Sequence, residues 1–302
     1  MKKFILMLGL TMVFSLVARA AESTDSDLES KEAGLKKFLA KYNWVSGPNT
    51  GQLADVASIE VPEGFMMCDG NDTRSILAAF GNVPGTKELG LLAPESLDWF
   101  IVFEFDPIGY VNDDEKDKLD AAGMLKSIRE GTEYGNEMRA KQGVPPMKIL
   151  GWDVKPRFND ETKLLEWAIL AESGTDQVLN HNTRVLGRRG VMEVALVIGP
   201  EIVKETMPVF YKLLKTFKYA EGQKYAEFKE GDSVAKYGLA ALVVGGAAVG
   251  AGKLGLFAWF AVMFKKLWKL IVIGVVAIGA GIKKLFSGVV SRVDDQPGDD
   301  RS

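Results

Sequence analysis

Apolar and polar positions along the chain predict both strands and helices. The run WFIVFEF at 99–105 is dense in β-branched and aromatic residues, which is typical of a buried strand. Two further regions, 147–173 and 178–199, each contain two strand-like runs separated by a turn, NDETK in the first and the neighbourhood of Arg189-Gly190 in the second. We expect each region to fold as an antiparallel hairpin.

Three other stretches carry the signals of helices. The segment 200–219 starts with a proline, and its apolar residues recur every three or four positions, which predicts an amphipathic helix. The segment 71–80 is predicted to be helical with Asn71 or Asp72 as its N-cap, and 112–143 is predicted to form a long helix. Hairpins between helices predict the α+β class, with a mainly antiparallel sheet and helices packed on one face.

The first twenty residues have the pattern of a secretory signal peptide. A positive Met1-Lys2-Lys3 precedes the apolar stretch 4–17, and Ala18-Arg19-Ala20 supplies a small-x-small cleavage site. Because the apolar stretch is shorter than the ~20 residues that a membrane span needs, we expect cleavage rather than retention as an anchor. The mature chain then begins at Ala21.

The C-terminal part of the chain predicts a membrane anchor over 237–287. Residues 238–264 are apolar apart from one lysine and are long enough to span a bilayer. We expect a second span at about 267–284, so that the two form a transmembrane hairpin. A single span followed by a re-entrant or interfacial segment is the alternative. An acidic polar tail, 288–302, ends the chain.

Two groups of lysines mark the boundaries of these spans, Lys265, Lys266 and Lys269 between them and Lys283 and Lys284 at the end of the second. The first group is expected in the cytoplasm by the positive-inside rule, and the second is expected to snorkel to the interface. With an exported N-terminus, this topology predicts a bacterial inner-membrane protein whose bulk, residues 21–236, is a periplasmic domain.

Small residues recur at four-residue spacing near the start of the anchor. Ala241 with Gly245 and Gly246 with Gly250 form small-xxx-small pairs, which let helix backbones approach closely. The expected partners are therefore the lipid bilayer and either an envelope protein or a second copy of the chain held through these helix faces.

Several stretches of the mature chain resemble a family of uncharacterised bacterial membrane-anchored proteins, described as domain of unknown function 2167. The stretches are SIEVPEGF, PIGYVNDDEKDKLD, ILGWDVKPRFNDETKLLEWA, RVLGRRGVMEV and SVAKYGLAALVVGGAA. The resemblance implies a periplasm-facing domain with a C-terminal membrane anchor, and it brings no activity, cofactor or catalytic residue with it. Paired strands followed by a closing helix are also similar to the photosystem-associated PsbP-like fold, an analogy of fold that implies no function.

The charge distribution argues against a nucleic-acid partner. Residues 21–236 contain 26 Lys and Arg against 36 Asp and Glu, a net charge of −10, whereas 253–284 carries six lysines and no acid. Binding to phosphates requires positive charge on the folded part of the chain. We therefore predict no nucleic-acid binding.

The sequence carries no catalytic or cofactor signature. GAGKLG at 250–255 matches a dinucleotide-binding pattern, but no strand precedes it and no acidic residue follows at the required distance. His181 is the only histidine, so we expect no His-rich metal site, and its position inside a predicted strand is typical of a structural residue. Cys68 is the only cysteine and is predicted to be a buried structural thiol. No cofactor and no metal are predicted.

Three arginines, Arg184, Arg188 and Arg189, are the strongest candidates for ligand binding. Strand alternation puts Arg184 and Arg188 on one face, and guanidinium groups suit carboxylate or phosphate. The competing interpretation is a turn whose arginines pair with the many acids of the domain.

These patterns predict a membrane-anchored periplasmic protein with a non-catalytic envelope, interaction or tethering role. Two alternatives stay open on the sequence. One is an accessory subunit of an inner-membrane transport assembly, and the other is an envelope hydrolase or transferase without a recognisable motif.

Overall fold

A computed structural model of the chain describes residues 33–80, 82, 84–141, 143 and 145–244. The expected signal peptide, the five boundary lysines and the expected anchor from 245 onward lie outside these residues. The strands are β1 (Val45–Ser46), β2 (Asn49–Leu53), β3 (Ala57–Val61), β4 (Phe65–Asp69), β5 (Glu88–Pro94), β6 (Trp99–Asp106), β7 (Met147–Asn159), β8 (Leu164–Ser173), β9 (Asp176–Leu186), β10 (Val191–Ile198) and β11 (Lys218–Tyr219).

The helices precede, connect or follow these strands. They are α1 (33–39), α2 (Gly70–Ala79), α3 (Ala121–Lys141), α4 (Val203–Leu214) and α5 (Leu239–Val244). Short 3₁₀ turns lie at Lys116–Lys118, Pro200–Ile202 and Tyr225–Glu227. The α+β class predicted from the sequence is confirmed.

Within the described part of the chain, the strands form two antiparallel sheets. The large sheet has the order β1-β4-β5-β6-β10-β9-β8-β7, and the small sheet has the order β11-β3-β2. The hairpins predicted over 147–173 and 178–199 are the pairs β7–β8 and β9–β10. The run at 99–105 forms β6 in the interior of the large sheet.

Side-chain alternation divides the core between the two faces of the large sheet. On β6, Phe100 and Val102 point to one face, whereas Ile101 and Phe103 point to the other. We call the first the helix face, because α2, α3 and α5 pack there, and the second the small-sheet face, because the small sheet and α4 pack there. Each face therefore has its own hydrophobic core.

The expectation that all helices pack on one face is wrong. Helix α4 buries Phe210, Leu213 and Leu214 in the core of the small-sheet face, opposite α2 and α3. Apolar periodicity shows that a helix has one buried stripe but not which side of a sheet receives it.

Local signals explain where the helices begin. Helix α2 starts at Gly70, because the Asp69 carboxylate accepts hydrogen bonds from the backbone N–H groups of Asn71 and Asp72, both at 2.9 Å. The N-cap therefore lies two or three positions before the predicted one. Pro200 opens the turn that leads into α4, as the sequence predicts.

Helix α5 falls at the start of the stretch expected to span the membrane. Leu239, Leu242 and Val243 are buried in the core of the helix face, and α5 packs beside α3. No helix within the described residues is both long enough and apolar enough to cross a bilayer. The six residues of α5 therefore pack as part of the folded body.

Candidate functional site

A cleft opens on the small-sheet face between the end of α4 and the hairpin β7–β8. Its volume is about 450 Å³. Its walls are formed by apolar side chains, Leu164, Val185, Leu214 and Phe217, and by polar side chains, Asn159, Thr162, Glu166, Tyr211 and Lys215. We call this space the α4 cleft.

Two local hydrogen-bonding arrangements shape the α4 cleft. At the turn between β7 and β8, the Asn159 side-chain oxygen accepts the backbone N–H groups of Glu161 and Thr162 at 2.9 and 3.0 Å. At the end of α4, the Thr216 hydroxyl donates to the Leu213 carbonyl at 2.7 Å, and the same hydroxyl accepts from a backbone N–H of β3 at 3.1 Å. Both walls are therefore fixed by backbone contacts.

Glu166 is the acidic group of the α4 cleft. Its side chain is 9% exposed, and its Oε2 atom lies 3.4 Å from Arg157 Nη2. The same Arg157 nitrogen lies 3.5 Å from the Tyr211 hydroxyl. On the inner side, Glu166 Oε1 lies 3.8 Å from His181 Nε2, which is longer than a hydrogen bond. Glu166 therefore sits between an outer and an inner basic group.

The charges in the cleft shift two pKa values. Burial acts to raise the pKa of Glu166, but the contacts with His181 and Arg157 outweigh it and leave that pKa below its ordinary value. Burial, followed by the charge of Glu166, raises the pKa of Tyr211. At neutral pH the cleft therefore holds an ionised carboxylate beside a neutral phenol.

His181 lies beneath the cleft and has little access to a ligand. It is 2% exposed and packs edge-on against Phe210 at 5.4 Å between ring centroids. Its Nε2 atom, Glu166 Oε1 and the Thr183 hydroxyl have no hydrogen-bond partner among the described residues. His181 is therefore a core residue. Among the described residues, no serine or cysteine side chain contacts its imidazole.

A second group of charges crosses the helix face. Glu88, Glu104 and Glu193 are direct register partners on β5, β6 and β10, so their side chains lie in one row. We call this set the glutamate row. Arg184 on β9 continues it, and its Nη2 atom lies 2.8 Å from Glu193 Oε2. The Arg184 guanidinium also stacks over Trp167, 4.7 Å from the ring centroid.

The glutamate row places three carboxyl groups side by side, with Glu88 buried and with Glu104 and Glu193 partly exposed. Glu88 is 2% exposed, and its nearest cation, Arg74, lies 3.8 Å away. Burial, and then the charges of Glu193 and Glu88, raise the pKa of Glu104 to about 8. Glu104 therefore keeps its proton near neutral pH, and Arg184 neutralises Glu193.

The three arginines singled out in the sequence have separate surroundings. Arg184 is buried in the pair with Glu193. Arg188 binds Asp232 through two nitrogens, at 2.6 and 2.8 Å, and this contact lowers the pKa of Asp232 to about 2. Arg189 is exposed at the turn between β9 and β10. Two of the three thus pair with acids of the body.

Cys68 is buried, as the sequence predicts. It is 2% exposed, and its sulfur lies 3.6 Å from the Thr73 hydroxyl. Burial raises the pKa of the Cys68 thiol to about 12. Across the residues that the structure describes, no group of three or more His, Cys, Asp or Glu side chains is placed to hold a metal ion.

Neither the α4 cleft nor the glutamate row is predicted by a motif in the sequence. One signal was present, a single acid inside an otherwise apolar strand, as with Glu104 in WFIVFEF, Glu166 in LLEWAIL and Glu193 in VMEVALVI. A charged residue on a buried strand face needs a partner, so each such acid marks a place where charges meet.

The chain matches a known protein family over most of its length. Residues 45–279 match the family described as "Protein of unknown function (DUF2167)". No curated protein matches the chain.

Solved structures show distant likeness. The solution structure of cyanobacterial PsbP (CyanoP) from Synechocystis sp. PCC 6803 has 12% identity and a TM-score of 0.35, covering 59% of this chain and 91% of the other. A point mutant of the protein Mog1 has 9% identity and a TM-score of 0.31, covering 58% and 97%. The Saccharomyces cerevisiae Ran-binding protein Mog1p has 9% identity and a TM-score of 0.29, covering 61% and 100%. These TM-scores carry no argument about function.

Proposed function

The chain belongs to this family of unknown function, and we propose that it is an exported protein, anchored in the bacterial inner membrane, that acts by binding a partner in the envelope. In this proposal the described residues form the periplasmic body, and the apolar segment that follows them attaches it to the membrane.

One observation supports a binding role for the protein over a catalytic role. The side chains that most often act as nucleophile or base, the single cysteine and the single histidine, are both 2% exposed. The Cys68 thiol has a raised pKa of about 12, which removes the thiolate that nucleophilic chemistry needs. His181 packs under α4, so a substrate in the α4 cleft meets Glu166 and Tyr211 before it meets the imidazole.

The proposed anchor follows from the sequence and from the position of α5. Since Leu239–Val244 packs in the body, the first span begins after Val244 and uses 245–264. Twenty residues of helix are ~30 Å long, which matches the hydrocarbon thickness of a bilayer. Lys265, Lys266 and Lys269 then reach the cytoplasm, and Lys283 and Lys284 end the returning span.

The proposal is tested by fractionation and crosslinking of the full-length, C-terminally tagged protein in its native cells. We expect the protein to stay in the membrane fraction after an alkaline wash and to begin at Ala21. Crosslinking in intact cells should capture one envelope partner in near-equal amount. The matched control is an unrelated tagged inner-membrane protein of the same size. Release into the soluble fraction contradicts the anchor, and equal capture by the control contradicts the binding role.

A further inference from the structure

The α4 cleft has the size and lining of a small-ligand site. Its volume of about 450 Å³ lies in the range of ~300 to 1,000 Å³ typical of such sites. Four apolar side chains form much of its wall, Leu164, Val185, Leu214 and Phe217. A ligand that fills it therefore needs an apolar portion.

The polar groups around the cleft offer donors rather than acceptors. Lys215 is exposed and forms no salt bridge with any described residue. The Arg157 side chain is 61% exposed and borders the cleft by its contacts with Glu166 and Tyr211, at 3.4 and 3.5 Å, both through Nη2. Its remaining guanidinium N–H groups can bind a ligand while the contact with Glu166 stays in place. Asn159 uses its oxygen for two backbone N–H groups, which leaves its amide nitrogen as a donor.

The one ionised acceptor in the lining is already engaged. Glu166 Oε2 faces Arg157, and its Oε1 atom is buried on the side of His181. The segment 203–219 carries four lysines and one acid, although residues 21–236 as a whole are acidic. Lysines near the C-terminal end of a helix can be explained by their favourable interaction with the helix dipole. That explanation does not apply to Arg157, which lies on β7. The local field at the cleft therefore favours an anion.

We propose that the α4 cleft binds a small amphiphile with a carboxylate head, the head held by Lys215 and Arg157 and the hydrocarbon chain lying among the apolar wall residues. A carboxylate matches the planar guanidinium fork of Arg157. This assignment rests on the proposal that the body acts by binding, but it does not depend on membrane attachment.

The probe that tests the site is decanoate carrying a diazirine near the end of its chain. Full-length protein in a mild non-ionic detergent is photolysed with the probe, and the labelled peptides are identified by mass spectrometry. We expect labels within 159–166 and 211–217. Lys215→Glu should weaken labelling of these peptides about tenfold, because a charge-assisted hydrogen bond is lost and a repulsive charge is introduced.

Further variants and a second probe separate the site from general hydrophobic labelling. Lys212→Glu makes the same charge change at a nearby exposed position of α4 that does not line the cleft, and should weaken labelling much less than Lys215→Glu does. Arg157→Gln, at an exposed side chain, should also weaken labelling. Far-UV circular dichroism checks that each variant folds, and the matching diazirine alcohol should label the cleft peptides weakly.

Labelling confined to the apolar segment after Val244 overturns the proposal. Equal labelling by the alcohol, or equal labelling of Lys215→Glu and Lys212→Glu, also overturns it. Cleft labelling without capture of an envelope partner contradicts the proposed tethering function and leaves the ligand site standing. Capture of an envelope partner without labelling of the cleft peptides contradicts the ligand site and leaves the proposed tethering function standing.

Discussion

Glu104 on β6 and Glu193 on β10 are direct partners in the antiparallel register, so two carboxylates face each other across neighbouring strands of the large sheet. Glu88 stands on the other side of Glu104. Three acids side by side in a partly desolvated row cannot all ionise without a large cost in free energy. The fold accommodates them by keeping Glu104 protonated and by pairing Glu193 with Arg184.

The stability of the protein should therefore depend on the ionisation of Glu104. Its pKa rises from the ordinary value of 4.5 to about 8 in the fold, so between these values the folded chain binds more protons than the unfolded chain. The protonated Glu104 contributes fully to the free energy of unfolding below pH 4.5, and this contribution is lost as the pH rises through about 8. Glu104→Gln should flatten this dependence and stabilise the protein at pH 8 by on the order of 2 to 4 kcal/mol.

Denaturant titration at a series of pH values, followed by tryptophan fluorescence, checks this expectation. Glu95→Gln, at an exposed position, serves as the matched control and should leave the pH dependence as in the wild type. An identical pH dependence for Glu104→Gln and the wild type would show that Glu104 ionises normally in the folded protein.

Removal of Arg184 should destabilise the fold strongly. Arg184→Met leaves the partly exposed Glu193 without its 2.8 Å partner beside two other acids, and the loss of a hydrogen bond to a charged group costs about 1.5 to 3 kcal/mol. Adding Glu193→Gln in the same chain should recover part of this loss, because the unpaired charge is then gone. Unfolding free energies from urea titration measure both effects.

The control for this prediction is a neighbouring arginine. Arg189→Met, at the exposed turn, should change the free energy of unfolding by no more than about 0.5 kcal/mol. If Arg184→Met and Arg189→Met have equal effects, the ion pair with Glu193 does not stabilise the protein.

Much of the fold could be predicted because its signals are local. The run 99–105 becomes β6 and the two hairpins pair as expected. Of the helix predicted over 200–219, Val203–Leu214 forms α4, whereas Lys218–Tyr219 forms β11. The small sheet and the division of the helices between two faces depend on contacts between distant segments, which periodicity does not report. The glutamate row is a further example, since Glu104 and Glu193 meet only through the register of β6 with β10.

The candidate site was predicted less well for the same reason. The sequence makes Arg184 one of three candidate ligand-binding arginines, but in the fold its side chain pairs with Glu193 on the next strand. The α4 cleft combines residues from β7, β8, β9 and the end of α4. None of these segments carries a motif on its own, so only the packing of α4 on the sheet places Lys215 on the wall of the cleft and Tyr211 beside Arg157 of β7.

The thiol of Cys68 should be unreactive in the folded protein. Because burial raises its pKa to about 12, iodoacetamide at pH 8 should modify the native chain very slowly and the chain in denaturant to completion. Intact-mass spectrometry over time measures both rates. Stoichiometric modification of the native chain within minutes contradicts the buried thiol seen beside Thr73.

Helix α5 should be required for a stable body. A chain that ends after Val244 retains the buried Leu239 and Leu242, whereas a chain that ends after Lys236 loses them and exposes the core of the helix face. Each buried leucine contributes roughly 1.5 to 3 kcal/mol. The free energy of unfolding of the shorter chain should therefore be several kcal/mol lower than that of the longer chain. The shorter chain should also bind a hydrophobic dye. Equal stability of the two chains would show that α5 is dispensable.

The central claim, that an exported body is held by an apolar anchor, is tested most directly by labelling of single cysteines in spheroplasts. Starting from Cys68→Ser, one cysteine is placed at the exposed position Glu133 of the body and, in a second chain, one at Lys266. A membrane-impermeant maleimide should label the Glu133 site in intact spheroplasts and should label the Lys266 site only after lysis. Protection of the Glu133 site, or labelling of the Lys266 site before lysis, contradicts the account.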